Sequence, residues 1–215
     1  MTKTQEDILT QTIELIQKLI NTSSYSREEE KAADVIRKLL KSKKIPFETK
    51  LNNTSVKNKH YNFLKPTILL NSHIDTVKPV NGWNKDPFKS TIEEEKLFGL
   101  GSNDAGASLA CLFSTFLHFY DKEEMKYNLI FAATAEEEIS GKNGIEQLDE
   151  ITSACEFAIV GEPTEMKMAI AEKGLMVLDG EVKGKAGHAA RNEGVNAIYS
   201  AMIDVHWFQN YQFKK

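Results

Sequence analysis

Cysteine is scarce in this chain of 215 residues: the two present, Cys111 and Cys155, lie far apart inside apolar segments and lack CxxC spacing. That argues against a disulfide framework or a cysteine zinc knot and leaves two packed thiols. Long hydrophobic runs are missing as well. The longest largely apolar stretch, Ala107 to Tyr120, is interrupted by Ser114, Thr115 and His118 and is shorter than the ~20 residues a bilayer-spanning helix needs. Blocks of like charge are also absent. The formal net charge of −4 comes from acids and bases interspersed along the chain, unlike a nucleic-acid-binding surface. The first residues, Met1 to Asp7, are polar and include acids, which excludes a signal or transit peptide there. The expectation is a cytoplasmic chain that acts on small molecules, without nucleic-acid or membrane partners. Its apolar content suffices for the core of one domain or a domain and a half.

What is present alternates between helical and strand patterns. Ile8, Leu9, Ile13, Ile16, Leu19 and Ile20 form a helical stripe. A second helix opens at Ser26 with Glu29 three residues on, the pattern of a capping box, and places Ala32, Val35, Ile36, Leu39 and Leu40 on its apolar face. Ile45 to Leu51 is extended, and Asn52 to Lys59, with three asparagines, reads as a polar loop. An apolar strand follows from Thr67. The run Pro79 to Gly106 has little regular pattern apart from a hairpin over Ser90 to Phe98, and a loop of that length is expected to be functional. A helix over Ala107 to Tyr120, a strand over Tyr127 to Thr134, a short helix near Gly144 to Leu148 and a strand over Phe157 to Val160 complete the pattern. Such alternation predicts a three-layer α/β domain with a mostly parallel central sheet, whose ligands sit beyond the carboxyl ends of the strands.

Those ends carry the chemistry. The run Ile68 to Ser72 delivers His73 and Asp75, which share one face because strand side chains alternate. A ligating histidine gives its second ring N–H to an orienting acceptor, and Asp75 is placed for that support. The strand ending at Thr134 is followed by Glu136, Glu137 and Glu138, and the strand ending at Val160 by Gly161-Glu162-Pro163-Thr164. Asp104 stands just before a helix. Unpaired carboxylates gathered on one rim repel each other, whereas a divalent cation turns that cost into binding energy. One imidazole with several carboxylates suits zinc or cobalt, in a pair bridged by one aspartate.

These residues resemble the M20 metallopeptidases, a family that includes acetylornithine deacetylase, succinyl-diaminopimelate desuccinylase, aminoacylase and carboxypeptidase G. The resemblance rests on Ser72-His73-Ile74-Asp75-Thr76, Trp83 with Asp86-Pro87-Phe88, Gly99-x-Gly101-x-x-Asp104, Ala135-Glu136-Glu137-Glu138, Gly161-Glu162-Pro163-Thr164 and Gly184-Lys185-Ala186-Gly187-His188. Each is weak alone, and six in this order are specific. The resemblance implies two zinc ions, with cobalt as the alternative metal. His73 and Glu162 would be ligands of one ion, Glu137 a ligand of the other, and Asp104 the bridge. It makes Glu136 the general base, Asp75 the support behind His73, and His188 the oxyanion donor contributed by a lid domain. It also implies a cis peptide between Asp104 and Ala105. Glu138 is left with a structural role.

Two departures stand out. Many relatives have Asp-Met-Lys-Gly where this chain has Asp104-Ala105-Gly106-Ala107. The family also has a further histidine ligand after the lid, which no residue before Lys215 supplies convincingly; His206 lies in the amphipathic stretch Val195 to Phe208. The expected organisation is a catalytic metal-binding domain over 1–173 and the beginning of a ferredoxin-like α+β lid or dimerisation domain over 174–215, with a strand over Leu175 to Val182. A C-terminally incomplete chain is expected. The resemblance implies removal of an acyl group from an N-acyl amino acid, with acetylornithine or a related intermediate of arginine synthesis such as an acylcitrulline as first choice, by a homodimer paired through the lid. A desuccinylase, aminoacylase or dipeptidase is the alternative within the family. An inactive metal-binding fragment is the alternative outside it.

Overall fold

The computed structural model describes residues 2–213 apart from 172 and 192. The chain divides into two compact units, Met1–Met168 and Ala169–Lys215. The first unit is built on a five-stranded sheet. Its strands are β1 (Glu48–Lys50), β2 (Asn53–Lys57), β3 (Thr67–His73), β6 (Asn128–Thr134) and β7 (Phe157–Val160), in the order β1-β2-β6-β3-β7. β3 runs parallel to both β6 and β7, while β2 is antiparallel to β1 and β6. Every strand except β2 therefore runs the same way, which is the mostly parallel sheet of an α/β domain.

Side-chain alternation divides the core. Leu129, Phe131 and Ala133 of β6 enter one hydrophobic cluster, and Ile130 and Ala132 enter the other. The larger cluster lies beneath three helices, α1 (Lys3–Ile20), α2 (Glu30–Ser42) and α3 (Ser108–Phe119). Phe113 and Phe116 of α3 pack on Phe131, with ring centroids 5.1 and 6.1 Å apart. The opposite face is covered by Leu148 and Ile151 from the stretch that runs through α4 (Asp149–Ser153). Helix α1 opens with a reciprocal capping box between Thr2 and Gln5. The hairpin β4 (Thr91–Glu93) and β5 (Lys96–Phe98) turns at Glu94 and Glu95, with φ of 48° and 61°. Positive φ at both central residues matches the turn twist to that of the strands.

Three expectations are corrected. Asn53–Lys57 is not a loop but β2, buried at Asn53, Thr54, Ser55 and Val56. Asn53 and Thr54 tolerate burial because their side chains are bonded. Asn53 donates to the carbonyls of Lys50 and Asn143 and accepts the Ala135 N–H, and Thr54 accepts from Arg37. Nor do Ser26 and Glu29 form a capping box. Glu29 occupies the cap position of α2 without a side-chain cap bond, and both side chains turn toward other parts of the unit. In the second unit, Leu175–Val182 is not paired as a strand among the described residues. A strand requires a hydrogen-bonding neighbour, and the described part of this unit has only the bridge between Lys185 and Val195. This unit also contains α5 (Ala197–Asn210), capped by the Asn196 side chain on the Ile198 N–H. Ile198, Met202 and Val205, the apolar positions expected on this helix, are exposed.

Candidate metal centre

Parallel neighbours β3, β6 and β7 end at the same rim, so the residues that follow them meet. His73 closes β3 with its side chain fully buried. Its Nδ1 lies 3.0 Å from the backbone carbonyl of Asp75 and 3.5 Å from Asp75 Oδ1. Nε2 is left facing the rim. Around it stand Asp104 Oδ1 at 3.1 Å, Glu162 Oε2 at 3.8 Å and Glu137 Oε2 at 3.9 Å. The peptide between Asp104 and Ala105 is cis, as the resemblance implies. An open cleft of about 420 Å³ adjoins the cluster, lined in part by Asn71, His73, Glu136, Glu137, Gly141 and Glu162.

Asp75 orients His73 through its carbonyl more closely than through its carboxylate. The carboxylate is occupied elsewhere. Oδ1 accepts the Glu137 N–H at 3.1 Å, and Oδ2 accepts the Glu138 N–H at 3.2 Å and the Ser26 hydroxyl at 2.7 Å. Its pKa is held below the ordinary carboxylate value: burial works against its charge, but His73, Ser26 and the Glu137 amide stabilise it.

The three acids of the run occupy different surroundings. Glu136 is buried, and Asn143 occupies both of its oxygens, with Nδ2 donating to Oε1 at 2.8 Å and the backbone N–H to Oε2 at 3.3 Å. Glu137 is half exposed beside His73. Glu138, given only a structural role by the sequence, offers an oxygen that groups with His73 and Asp104, all within 4.8 Å of one another. The physical reason lies in the backbone at 136. Glu136 adopts φ 54°, ψ 26°, and this left-handed residue redirects the two acids that follow. Nothing in three consecutive glutamates announces where the chain reverses.

Electrostatics supply the test of whether the residues fit a metal. Burial, then the charge of Asp104, pushes the Glu138 carboxyl up, although His73 opposes it. Burial also raises Glu162, against His73 and together with Glu137, Asp104 and Glu138. His73 responds in the opposite sense: burial disfavours its charge, yet Asp75, Glu162 and Glu137 push it up to about 9. A site in which carboxylates raise one another, with one imidazole aimed at them, is a donor set that a divalent cation satisfies. Oxygen donors with one imidazole suit a hard to borderline ion.

His188 belongs to the second unit and is exposed; its Nδ1 accepts the Ala190 N–H at 3.3 Å. No helix among the described residues is long and apolar enough to cross a membrane.

Residues 69–212 match the family described as Peptidase family M20/M25/M40. An acetylornithine deacetylase of Photorhabdus laumondii subsp. laumondii is 32% identical over 199 residues, which cover 86% of this chain and 51% of that protein. A succinyl-diaminopimelate desuccinylase of Buchnera aphidicola subsp. Cinara cedri is 32% identical over 194 residues, covering 84% of this chain and 51% of the relative. The chain spans about half the length of these two curated relatives. Among solved structures, a dinuclear metal binding peptidase from the M20 family of Bacillus subtilis superimposes with a TM-score of 0.54 at 17% identity, over 72% of this chain and 43% of that one. With its strand-end cluster and a family match over most of its length, the chain belongs to peptidase family M20.

Proposed function

We propose that the protein is a metal-dependent amidohydrolase that removes an acyl group from an N-acyl amino acid, with acetylornithine as the first candidate. The observation that carries this is the cluster at the rim: one buried imidazole within 3.9 Å of three carboxylate oxygens, with a fourth acid, Glu138, grouped with His73 and Asp104. The names of the 32% identical relatives support the substrate class. A succinyl-diaminopimelate substrate is the second reading, favoured by one of them.

In this proposal His73, Asp104, Glu138 and Glu162 hold the metal. A divalent ion bound there supplies Lewis acidity, which polarises an amide carbonyl and makes water a stronger acid. Glu137 takes over the basic role expected of Glu136. Its half-exposed carboxylate stands at the open rim beside His73, within reach of a water, whereas both oxygens of Glu136 are committed to Asn143. Glu137 accepts a proton from the attacking water and passes it to the leaving nitrogen. Asp75 fixes His73 through its carbonyl and holds the Glu137 and Glu138 amides with its carboxylate. His188 is the proposed oxyanion donor: with Nδ1 accepting from Ala190, a neutral imidazole carries its proton on Nε2. The assignments of residues 1–173 to catalysis and 174–215 to a lid that pairs two subunits belong to the same proposal.

The test is hydrolysis of N-acetylornithine, N-succinyl-diaminopimelate and simple dipeptides by the intact protein with its metal content determined. Metal-dependent release of ornithine supports the first reading and release of diaminopimelate the second. A protein loaded with zinc or cobalt that cleaves none of them would overturn both.

A further inference from the structure

The loop ahead of α2 reaches the metal centre through the backbone. Glu29 is fully buried, and its carboxylate accepts the Arg27 backbone N–H, the Asn52 side-chain amide at 2.9 Å and the Glu136 backbone N–H at 3.3 Å. A carboxylate so deeply placed is costly unless fully hydrogen-bonded, so the contacts that satisfy it are also held firmly. The Glu136 contact continues in the next two residues, whose N–H groups end on Asp75 Oδ1 and Oδ2. Three successive amides, 136 to 138, thus terminate on two buried carboxylates. Ser26, three residues before Glu29, ties the second of these in place at 2.7 Å.

The turn so clamped is one that would not hold itself. Glu136 sits in the left-handed region, with φ 54° and ψ 26°, a conformation that is strained for a non-glycine residue and persists only where surroundings enforce it. The turn sends Glu137 toward His73 and Glu138 toward His73 and Asp104. We infer that Glu29 is a positioning residue: by accepting the Glu136 N–H it holds the left-handed turn that aims Glu137 and Glu138 into the metal centre, with Ser26 bracing the same turn through Asp75. The inference rests on the proposal that the cluster holds a divalent metal. It adds to that site a carboxylate from an element that contributes no ligand.

The test separates reach from charge. Glu29→Gln keeps the length of the side chain and an oxygen for the Arg27 and Glu136 amides, while Asn52 can turn its own oxygen toward the new NH₂ group. Glu29→Asp keeps the charge but withdraws the acceptor by one methylene. Zinc affinity is measured in the intact protein by chelator competition, and the visible absorption of the cobalt form reports ligand geometry. Metal-free urea midpoints record the effect of each variant on stability separately. Loss of a partner that orients ligands typically weakens metal binding about 10- to 100-fold. That loss, with an altered cobalt spectrum, is expected for Glu29→Asp, whereas Glu29→Gln should stay within about threefold of the parent. A purely structural Glu29 would lower the urea midpoints and leave affinity and spectrum unchanged in the folded variants, and that result overturns the inference. If Glu29→Asp does not fold, Ser26→Ala replaces it: weaker zinc binding supports the brace, and unchanged binding overturns it. An unsubstituted protein that binds neither zinc nor cobalt would remove the metal site itself, and the inference with it.

Discussion

Nδ1 of His73 points back at the carbonyl of Asp75, 3.0 Å away, and Nε2 points out at Asp104, 3.1 Å away. The ring is thereby fixed at both ends, and in the metal-free protein the surrounding acids push its pKa up to about 9.

Stability of the metal-free form should therefore depend on pH in a defined direction. His73 stabilises the fold while charged. Its contribution is whole below its ordinary value of 6.5 and is lost as pH rises through about 9. Asp75 is depressed, so its contribution is present above its ordinary value of 3.8 and is lost as pH falls through the folded value below that. Thermal unfolding after chelation should give the highest midpoint between 3.8 and 6.5, with a decline toward pH 9. A flat profile from pH 6.5 to 9 would show that His73 is not charged in the folded chain.

The three acids should separate by role. Glu137→Gln in the intact protein is expected to keep its metal and lose about 10² to 10⁴ in kcat, the usual worth of a general base. Glu138→Ala should lose metal. Glu136→Gln, whose parent carboxylate serves Asn143, should fall between an unaltered enzyme and Glu137→Gln. Metal analysis beside kcat decides, and a Glu136→Gln variant as inactive as Glu137→Gln would return the base to Glu136.

Gly141 closes the turn against Glu136. A Cβ there would stand 2.1 Å from Glu136 Oε2 and 2.6 Å from its Cβ, and Gly141 N–H donates to the Glu136 carbonyl at 2.8 Å. Gly141→Ala must push the buried Glu136 aside, at about 1 to 3 kcal/mol for overpacking. The urea midpoint should drop and zinc affinity should weaken with it; full retention of both would show that the turn has slack.

Asn53 joins three backbone groups, at Lys50, Asn143 and Ala135. Asn53→Ala leaves the N–H of the buried Ala135 and the carbonyls of Lys50 and Asn143 without that partner. The expected cost is at least about 1 to 3 kcal/mol, the penalty for one stranded polar group. Denaturant unfolding measures it, and a loss below 0.5 kcal/mol, roughly the floor for a net hydrogen bond, would mean that water replaces the side chain.

Much of the fold was legible because periodicity and burial agree. The run Thr67–His73 is buried along nearly its whole length, as an interior parallel strand demands, and the alternation of Leu129 to Ala133 between two clusters follows from strand geometry alone. β2 was not legible. Asn53-Thr54-Ser55 has loop composition, and only the partners that satisfy it, Arg37, Asn143 and Ala135, make burial affordable. Ser26 and Glu29 misled for a similar reason: their spacing fits a capping box, but distant amides and a carboxylate compete for the same side chains.

By itself the sequence determined which residue types gather at the carboxyl ends of β3, β6 and β7, because a strand's direction and its last residues are local properties. It also determined the spacing that turns His73 outward and leaves its other nitrogen to Asp75. The tertiary structure alone decided which of Glu136, Glu137 and Glu138 faces the imidazole. That choice depends on a left-handed residue at 136, a conformation that local preference disfavours; two carboxylates remote in sequence, Glu29 just before α2 and Asp75 just after β3, accept the N–H groups of residues 136 to 138.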